Sequence, residues 1–133
     1  MVTAVQRGVD SLLEREHVDP ARLGYVGHSM GAVVGGVVAG VETRIRTYVL
    51  MAGGTGFPPY REPLVGHAAP ASLFFQQARL DDAVPPGDGR RYASDGSEPK
   101  QVKWYDVGHD LNDLQAREDR AGRPAKELGF PSH

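Results

Sequence analysis

The stretch Gly27-His28-Ser29-Met30-Gly31 decides how this sequence is interpreted, because it has the pattern G-x-S-x-G. In this pattern a serine occupies a sharp turn between a strand and a helix, and the flanking glycines let the two elements approach closely. The apolar residues 23–26 predict the strand, and the small residues 32–40 predict a helix that packs flat against a sheet. The stretch therefore predicts a nucleophile elbow, with the Ser29 hydroxyl projecting from the sheet edge on a strained backbone.

Composition limits the classes of protein to which the chain can belong. Its 133 residues predict one domain, residues 1–133, and a hydrophobic content of 40% is enough for a core. A net charge of −2 predicts neither a nucleic acid nor an anionic membrane as partner. The absence of cysteine excludes disulfides, thiol nucleophiles and zinc–thiolate sites, and it suits a cytoplasmic location. The longest run of low polarity, residues 31–41, is shorter than the ~20 residues of a membrane span.

Strand and helix patterns alternate along the chain. An amphipathic helix is predicted at the N-terminus by the helical spacing of Val2, Val5, Val9, Leu12 and Leu13. Strands are predicted at residues 46–52, 71–77 and 101–107, an irregular loop at residues 53–70, and a short helix at residues 90–94. A terminal helix between residues 111 and 128 is expected to break or kink at Gly122 and Pro124. This alternation predicts an α/β fold, a parallel sheet with helices on both faces.

Two further segments carry the groups that a reactive serine needs, namely a base that takes its proton and an acid that orients the base. Asp81-Asp82 directly follows the predicted strand at residues 71–77, and Gly108-His109-Asp110 directly follows the last predicted strand. The carboxyl ends of parallel strands gather at one edge of a sheet, where open α/β proteins build their sites. His109 is therefore the candidate base, and the candidate acid is Asp81 or Asp82.

Three segments resemble dienelactone-hydrolase-like and related acyl-esterase members of the α/β-hydrolase superfamily. Residues 18–31 resemble the elbow region of these enzymes, residues 81–85 their D-x-x-V-P acid loop, and residues 104–109 their histidine loop. The resemblance implies Ser29 as nucleophile, Asp81 in preference to Asp82 as acid, and His109 as base. It also implies that the backbone N–H of Met30 is one donor of an oxyanion hole. It implies no cofactor and no metal, and the expected partner is a small-molecule acyl substrate.

Two other histidines are expected to have lesser roles. His67 precedes the candidate acid and would break the serine–acid–histidine order of the family, so it is expected to cap a loop or line the pocket. His28 occupies the variable position of the elbow, where a packing or hydrogen-bonding role is expected.

The predicted function is hydrolysis of a carboxylic ester or related acyl bond through an acyl-enzyme on Ser29. Peptide or thioester cleavage by the same residues remains open, and the alternative is an inert, truncated hydrolase fragment that acts, if at all, as an interaction module. In the superfamily that the chain resembles, a block of sheet with a second oxyanion donor precedes the first helix found here. The chain is therefore expected to be the C-terminal portion of a hydrolase domain. Its elbow strand is then expected at an open sheet edge, which favours self-association.

Overall fold

The computed structural model describes residues 1–58, 60 and 64–131. In chain order the elements are α1 (Val2–Leu13), β1 (Gly24–His28), α2 (Met30–Val41), β2 (Thr47–Met51), a 3₁₀ helix (Val65–His67), β3 (Ser72–Ala78), α3 (Pro86–Asp95), β4 (Lys100–Tyr105) and α4 (Leu114–Glu127). In the described part of the chain, no helix combines the length and the apolar character that crossing a bilayer requires.

The four strands form a parallel sheet in the order β1-β2-β3-β4. The register places Val26 beside Val49, Val49 beside Phe74, and Phe75 beside Val102. Every residue of β2 and β3 is buried, as expected for central parallel strands that are covered on both faces. Because all four strands run in the same direction, their carboxyl ends gather at one edge of the sheet. The segments that follow β1, β3 and β4 all start at this edge.

Helices cover both faces of the sheet, and this confirms the predicted α/β class. One core layer lies beneath α1, α2 and α3 and includes Val34, Val38, Leu50, Phe75 and Tyr92. A second layer lies beneath α4 and includes Val49, Met51, Phe74, Leu111 and Ala116. Neighbouring residues of β2 belong to different layers, because successive side chains of a strand point to opposite faces.

The small residues of α2 allow this helix to pack closely against its neighbours. A Cβ on Gly36 would lie 2.1 Å from the hydroxyl oxygen of Tyr92, so only glycine leaves room for that hydroxyl beneath the helix. Tyr92, from α3, uses this space to donate a hydrogen bond to the Ala32 carbonyl at 2.7 Å. Its ring packs edge-on against Phe75, with the ring centroids 5.5 Å apart. The predicted helix of small residues after Ser29 is therefore confirmed.

Three features differ from the sequence-based prediction. Helix α3 begins at Pro86 instead of residue 90, because a proline in the first helical turn needs no acceptor for its missing N–H. Helix α4 continues through Gly122 and Pro124, so the predicted break does not occur; Pro124 lies in the last turn, where it removes a single i→i−4 hydrogen bond. The predicted loop at residues 53–70 contains the 3₁₀ helix, and its residues 59 and 61–63 lie outside the described residues.

Candidate active site

Ser29 lies on the tight turn that joins β1 to α2. Its backbone has φ 59° and ψ −116°, a conformation that L residues rarely adopt. The turn is held from two sides: the Ser29 N–H donates to the Met51 carbonyl at 2.7 Å, and the Tyr25 hydroxyl donates to the Gly31 carbonyl at 2.7 Å. The core of the sheet thus stabilises the strained backbone that the elbow pattern predicts.

The two glycines that flank the turn have different roles. A Cβ on Gly27 would lie 2.3 Å from the carbonyl oxygen of Gly31, so the close approach of strand and helix requires glycine at position 27. A Cβ on Gly31 would meet no atom within 4 Å. The expectation that space requires glycine on both sides of the serine therefore holds for Gly27 and is wrong for Gly31.

The N-terminus of α2 begins directly after Ser29. The Ser29 carbonyl accepts hydrogen bonds from the N–H groups of Ala32 and Val33, at 3.0 and 3.3 Å. Within the described residues, the N–H of Met30 has no hydrogen-bond acceptor, as is usual for a donor in the first turn of a helix. The positive end of the helix dipole lies at the same place. Met30 can therefore donate to an anionic oxygen formed beside Ser29.

Asp81 contacts the ring of His109 with both carboxylate oxygens. Nδ1 of His109 lies 2.8 Å from Oδ2 and 3.0 Å from Oδ1 of Asp81, and an ionised carboxylate can only accept, so Nδ1 carries the hydrogen. The Asp81 side chain is 3% exposed, and the backbone N–H groups of Ala83 and Val84 each donate to its Oδ1 at 2.8 Å. Burial raises the pKa of Asp81, but the hydrogen bonds from His109, Val84 and Ala83 outweigh it and leave the pKa below its usual value. Asp81 is therefore a carboxylate at neutral pH.

Ser29 completes a hydrogen-bonded chain of three side chains. With the hydrogen of the neutral ring on Nδ1, Nε2 of His109 is an acceptor, and the Ser29 hydroxyl donates to it at 3.0 Å. The three residues follow β1, β3 and β4, so the gathering of strand ends at one edge brings them together. Asp82 is exposed and lies with His109 on the border of an open depression. Of the two acids that the sequence left open, Asp81 is thus the one whose carboxylate reaches the imidazole.

The loop that carries His109 is anchored at Leu111 by two contacts that the sequence did not predict. The depression beside His109 has a volume of about 570 Å³ and is lined mainly by residues 107–113. Within this loop, Leu111 has φ 49° although its side chain is bulky, and that side chain is fully buried. Arg120, from α4, donates to the Leu111 carbonyl at 2.9 Å. The sequence pattern places Leu111 at the start of the terminal helix, whereas α4 begins at Leu114 and Leu111 lies in the loop before it. No local pattern marks Arg120 for its contact with this loop.

The two histidines that were given lesser roles lie at different ends of the sheet. His28 donates a hydrogen bond from Nε2 to the backbone carbonyl of His109 at 2.8 Å, so the expected hydrogen-bonding role is present. His67 is exposed and is the last residue of the 3₁₀ helix that precedes β3. It therefore lies near the amino ends of the strands, whereas Ser29 lies at their carboxyl ends. His67 borders a separate depression of about 340 Å³. In the described residues, no group of three or more His, Asp and Glu side chains is arranged to hold a metal ion.

Comparison with known proteins identifies the architecture. No protein-family model and no curated protein matches the sequence. The structure is similar to the α/β hydrolase GrgF from Penicillium sp. sh18, with a TM-score of 0.82 at 13% identity over 97% of this chain and 72% of that one. It is also similar to an esterase from Pyrococcus furiosus (TM-score 0.77, 15% identity, 94% of this chain and 60% of that one). For acyl-protein thioesterase 2 from Zea mays the TM-score is 0.73, at 20% identity over 96% of this chain and 65% of that one.

These similarities concern the fold, since all three identities are low. The chain spans 72%, 60% and 65% of the lengths of these three proteins, in the same order. Nearly all of this chain is matched in each case, including the parallel sheet and the helices on its two faces. The chain therefore has a partial α/β-hydrolase fold.

Proposed function

We propose that the chain is a serine hydrolase that cleaves a carboxylic ester or a related acyl bond. The observation that carries the proposal is the hydrogen-bonded chain from Ser29 Oγ to His109 Nε2 (3.0 Å) and from His109 Nδ1 to Asp81 Oδ2 (2.8 Å). Both distances are those of hydrogen bonds, and the order of nucleophile, base and orienting acid is the one that acyl transfer requires. Esterases and a thioesterase among the structures of similar fold support acyl chemistry as the reaction class.

In the proposed reaction, Ser29 Oγ attacks the acyl carbon of the substrate while its proton passes to His109 Nε2. Asp81 holds Nδ1–H and stabilises the imidazolium that forms. The N–H of Met30 donates to the oxygen of the tetrahedral intermediate, where the dipole of α2 is favourable to negative charge. His109 then returns the proton to the leaving group, whose bond to the acyl carbon breaks. Water hydrolyses the remaining ester on Ser29, with His109 again as base.

A serine-directed fluorophosphonate probe tests this proposal when labelling is followed by intact mass. We expect one adduct on the wild-type chain and none on Ser29→Ala. The matched control is Ser11→Ala, which removes an exposed serine of α1 and should leave the adduct unchanged. Asp81→Asn and His109→Ala are each expected to lower the turnover of p-nitrophenyl acetate by about 10⁴-fold, because neither variant retains an oriented base.

Three results have distinct meanings. An adduct that persists on Ser29→Ala contradicts the assignment of the nucleophile. A folded wild-type chain with neither adduct nor turnover contradicts the proposed activity and favours an inert fragment. If the chain is active, a panel of matched ester, thioester and peptide substrates ranks the acyl bonds that it cleaves.

A further inference from the structure

The imidazole of His109 is carried on a loop that crosses the end of the sheet. β1 and β4 are the outer strands, with β2 and β3 between them. Neighbouring strands lie about 4.8 Å apart, so the start of the His109 loop and the end of β1 are separated by about 14 Å across the sheet. The loop must therefore fold back over this edge before Nε2 can reach Ser29. Its position therefore depends on contacts made beyond the end of β4.

His28 supplies such a contact from the elbow itself. Its Nε2 lies 2.8 Å from the backbone carbonyl oxygen of His109. A carbonyl oxygen has lone pairs and no hydrogen, so Nε2 of His28 must be the donor. The rings of His28 and His109 are also in contact, with centroids 4.8 Å apart and an interplanar angle of 55°. One side chain thus contacts both the backbone and the ring of His109.

Asp81 alone does not determine where Nε2 of His109 lies. The contacts of Asp81 are made to Nδ1, on the side of the ring opposite the Ser29 hydroxyl. Rotation of the ring about the Asp81 contact, or displacement of the loop backbone, would change the distance between Nε2 and Ser29 Oγ. A second anchor on the His109 backbone removes this freedom. Since His28 is the residue directly before Ser29, the anchor also moves together with the nucleophile.

We propose that His28 is a positioning residue, which holds His109 in register with Ser29 through its hydrogen bond and its ring contact. This inference rests on the proposed function, because positioning has a kinetic effect only if Ser29 and His109 react. His28 does not take part in the proton transfers. It is exposed, so its replacement is expected to leave the fold intact.

Three variants test the role of His28. His28→Leu keeps a bulky side chain and removes the donor, while His28→Gln keeps an N–H donor on a side chain of similar reach. His17→Leu is the matched control, because His17 is an exposed histidine in the turn after α1. For p-nitrophenyl acetate we expect His28→Leu to lower kcat by about 100-fold with little change in KM, since a displacement of about 1 Å has an effect of this size. His28→Gln should recover most of kcat, and His17→Leu should equal the wild type.

Nitrogen-15 NMR of the imidazole rings provides a readout that needs no substrate. In the wild type we expect the hydrogen of neutral His28 to be on Nε2. The Nε2 resonance of His109 should change in His28→Leu and should return to its wild-type position in His28→Gln. An unchanged kcat and an unchanged His109 resonance in His28→Leu overturn the inference, as does an effect confined to KM, which indicates a substrate contact. If the wild-type chain itself neither reacts with the probe nor hydrolyses the ester, the proposed function fails. The His109 resonances alone then decide whether His28 positions the ring.

Discussion

Replacement of Gly27 by alanine is a direct test of the elbow geometry. The added Cβ would lie 2.3 Å from the oxygen and 2.6 Å from the carbon of the Gly31 carbonyl. Ordinary contacts begin at 3.4 Å, so this carbonyl must move by about 1 Å or the turn must open. Movement of this carbonyl also disturbs its hydrogen bond with the Tyr25 hydroxyl. We expect Gly27→Ala to lower the free energy of unfolding by about 1–3 kcal/mol, a range typical of overpacked sites.

Gly31→Ala is the matched control on the other side of Ser29. Its Cβ would meet no atom within 4 Å, so we expect the free energy of unfolding to stay within about 1 kcal/mol of the wild type. Urea unfolding followed by circular dichroism measures both variants, and the rate of fluorophosphonate labelling reports the position of the Ser29 hydroxyl. Labelling of Gly27→Ala should be slower by about 100-fold, because a displacement of about 1 Å has an effect of that order. Equal stability and equal labelling of the two variants would refute the steric argument.

Two further predictions concern acid stability and self-association. The pKa of Asp81 is lowered in the folded chain, so its ionised form adds stability that is present above about pH 4 and is lost as the pH falls through the folded pKa. In urea titrations, the difference in free energy of unfolding between the wild type and Asp81→Asn should therefore narrow as the pH falls below about 4, and a difference that stays constant in this range contradicts the linkage. We also propose that the open edge of β1 pairs with a second copy of the chain, since Val26 on this strand is 58% exposed. Val26→Lys should then shift sedimentation velocity profiles towards the monomer, whereas wild-type sedimentation that is independent of concentration argues against pairing.

The fold class was predictable because its signals are local. The apolar runs that became β2 and β3 are buried along their whole length, and such runs predict parallel strands covered on both faces. The small residues of α2 predict close packing from the sequence alone. The prediction failed at α3, where Pro86 lies in the first turn and no N–H is needed, and at α4, which continues through Pro124 at the loss of one i→i−4 hydrogen bond. A proline does not by itself reveal which turn it occupies.

The sequence predicted which residues make up the candidate site, but it predicted less of how their hydrogen bonds are arranged. Asp81 and His109 are the candidates from sequence because each follows a strand, and the carboxyl ends of parallel strands gather at one edge of the sheet. The residues by themselves left Asp81 and Asp82 open, and the resemblance favoured Asp81. In the structure, the N–H groups of Ala83 and Val84 hold the Asp81 carboxylate at Nδ1 of His109, while Asp82 is exposed.

The sequence by itself determined the elbow, the order of strands and helices and the candidate site residues, since each of these is marked by a pattern of residues that are neighbours in the chain. Tertiary structure alone decided how the His109 loop is held. His28 is 81 residues from His109, and Arg120 reaches the buried, strained Leu111 from a separate helix. Such contacts depend on the path of the loop across the sheet edge. That path follows from the packing of the whole chain, so no local pattern predicts it.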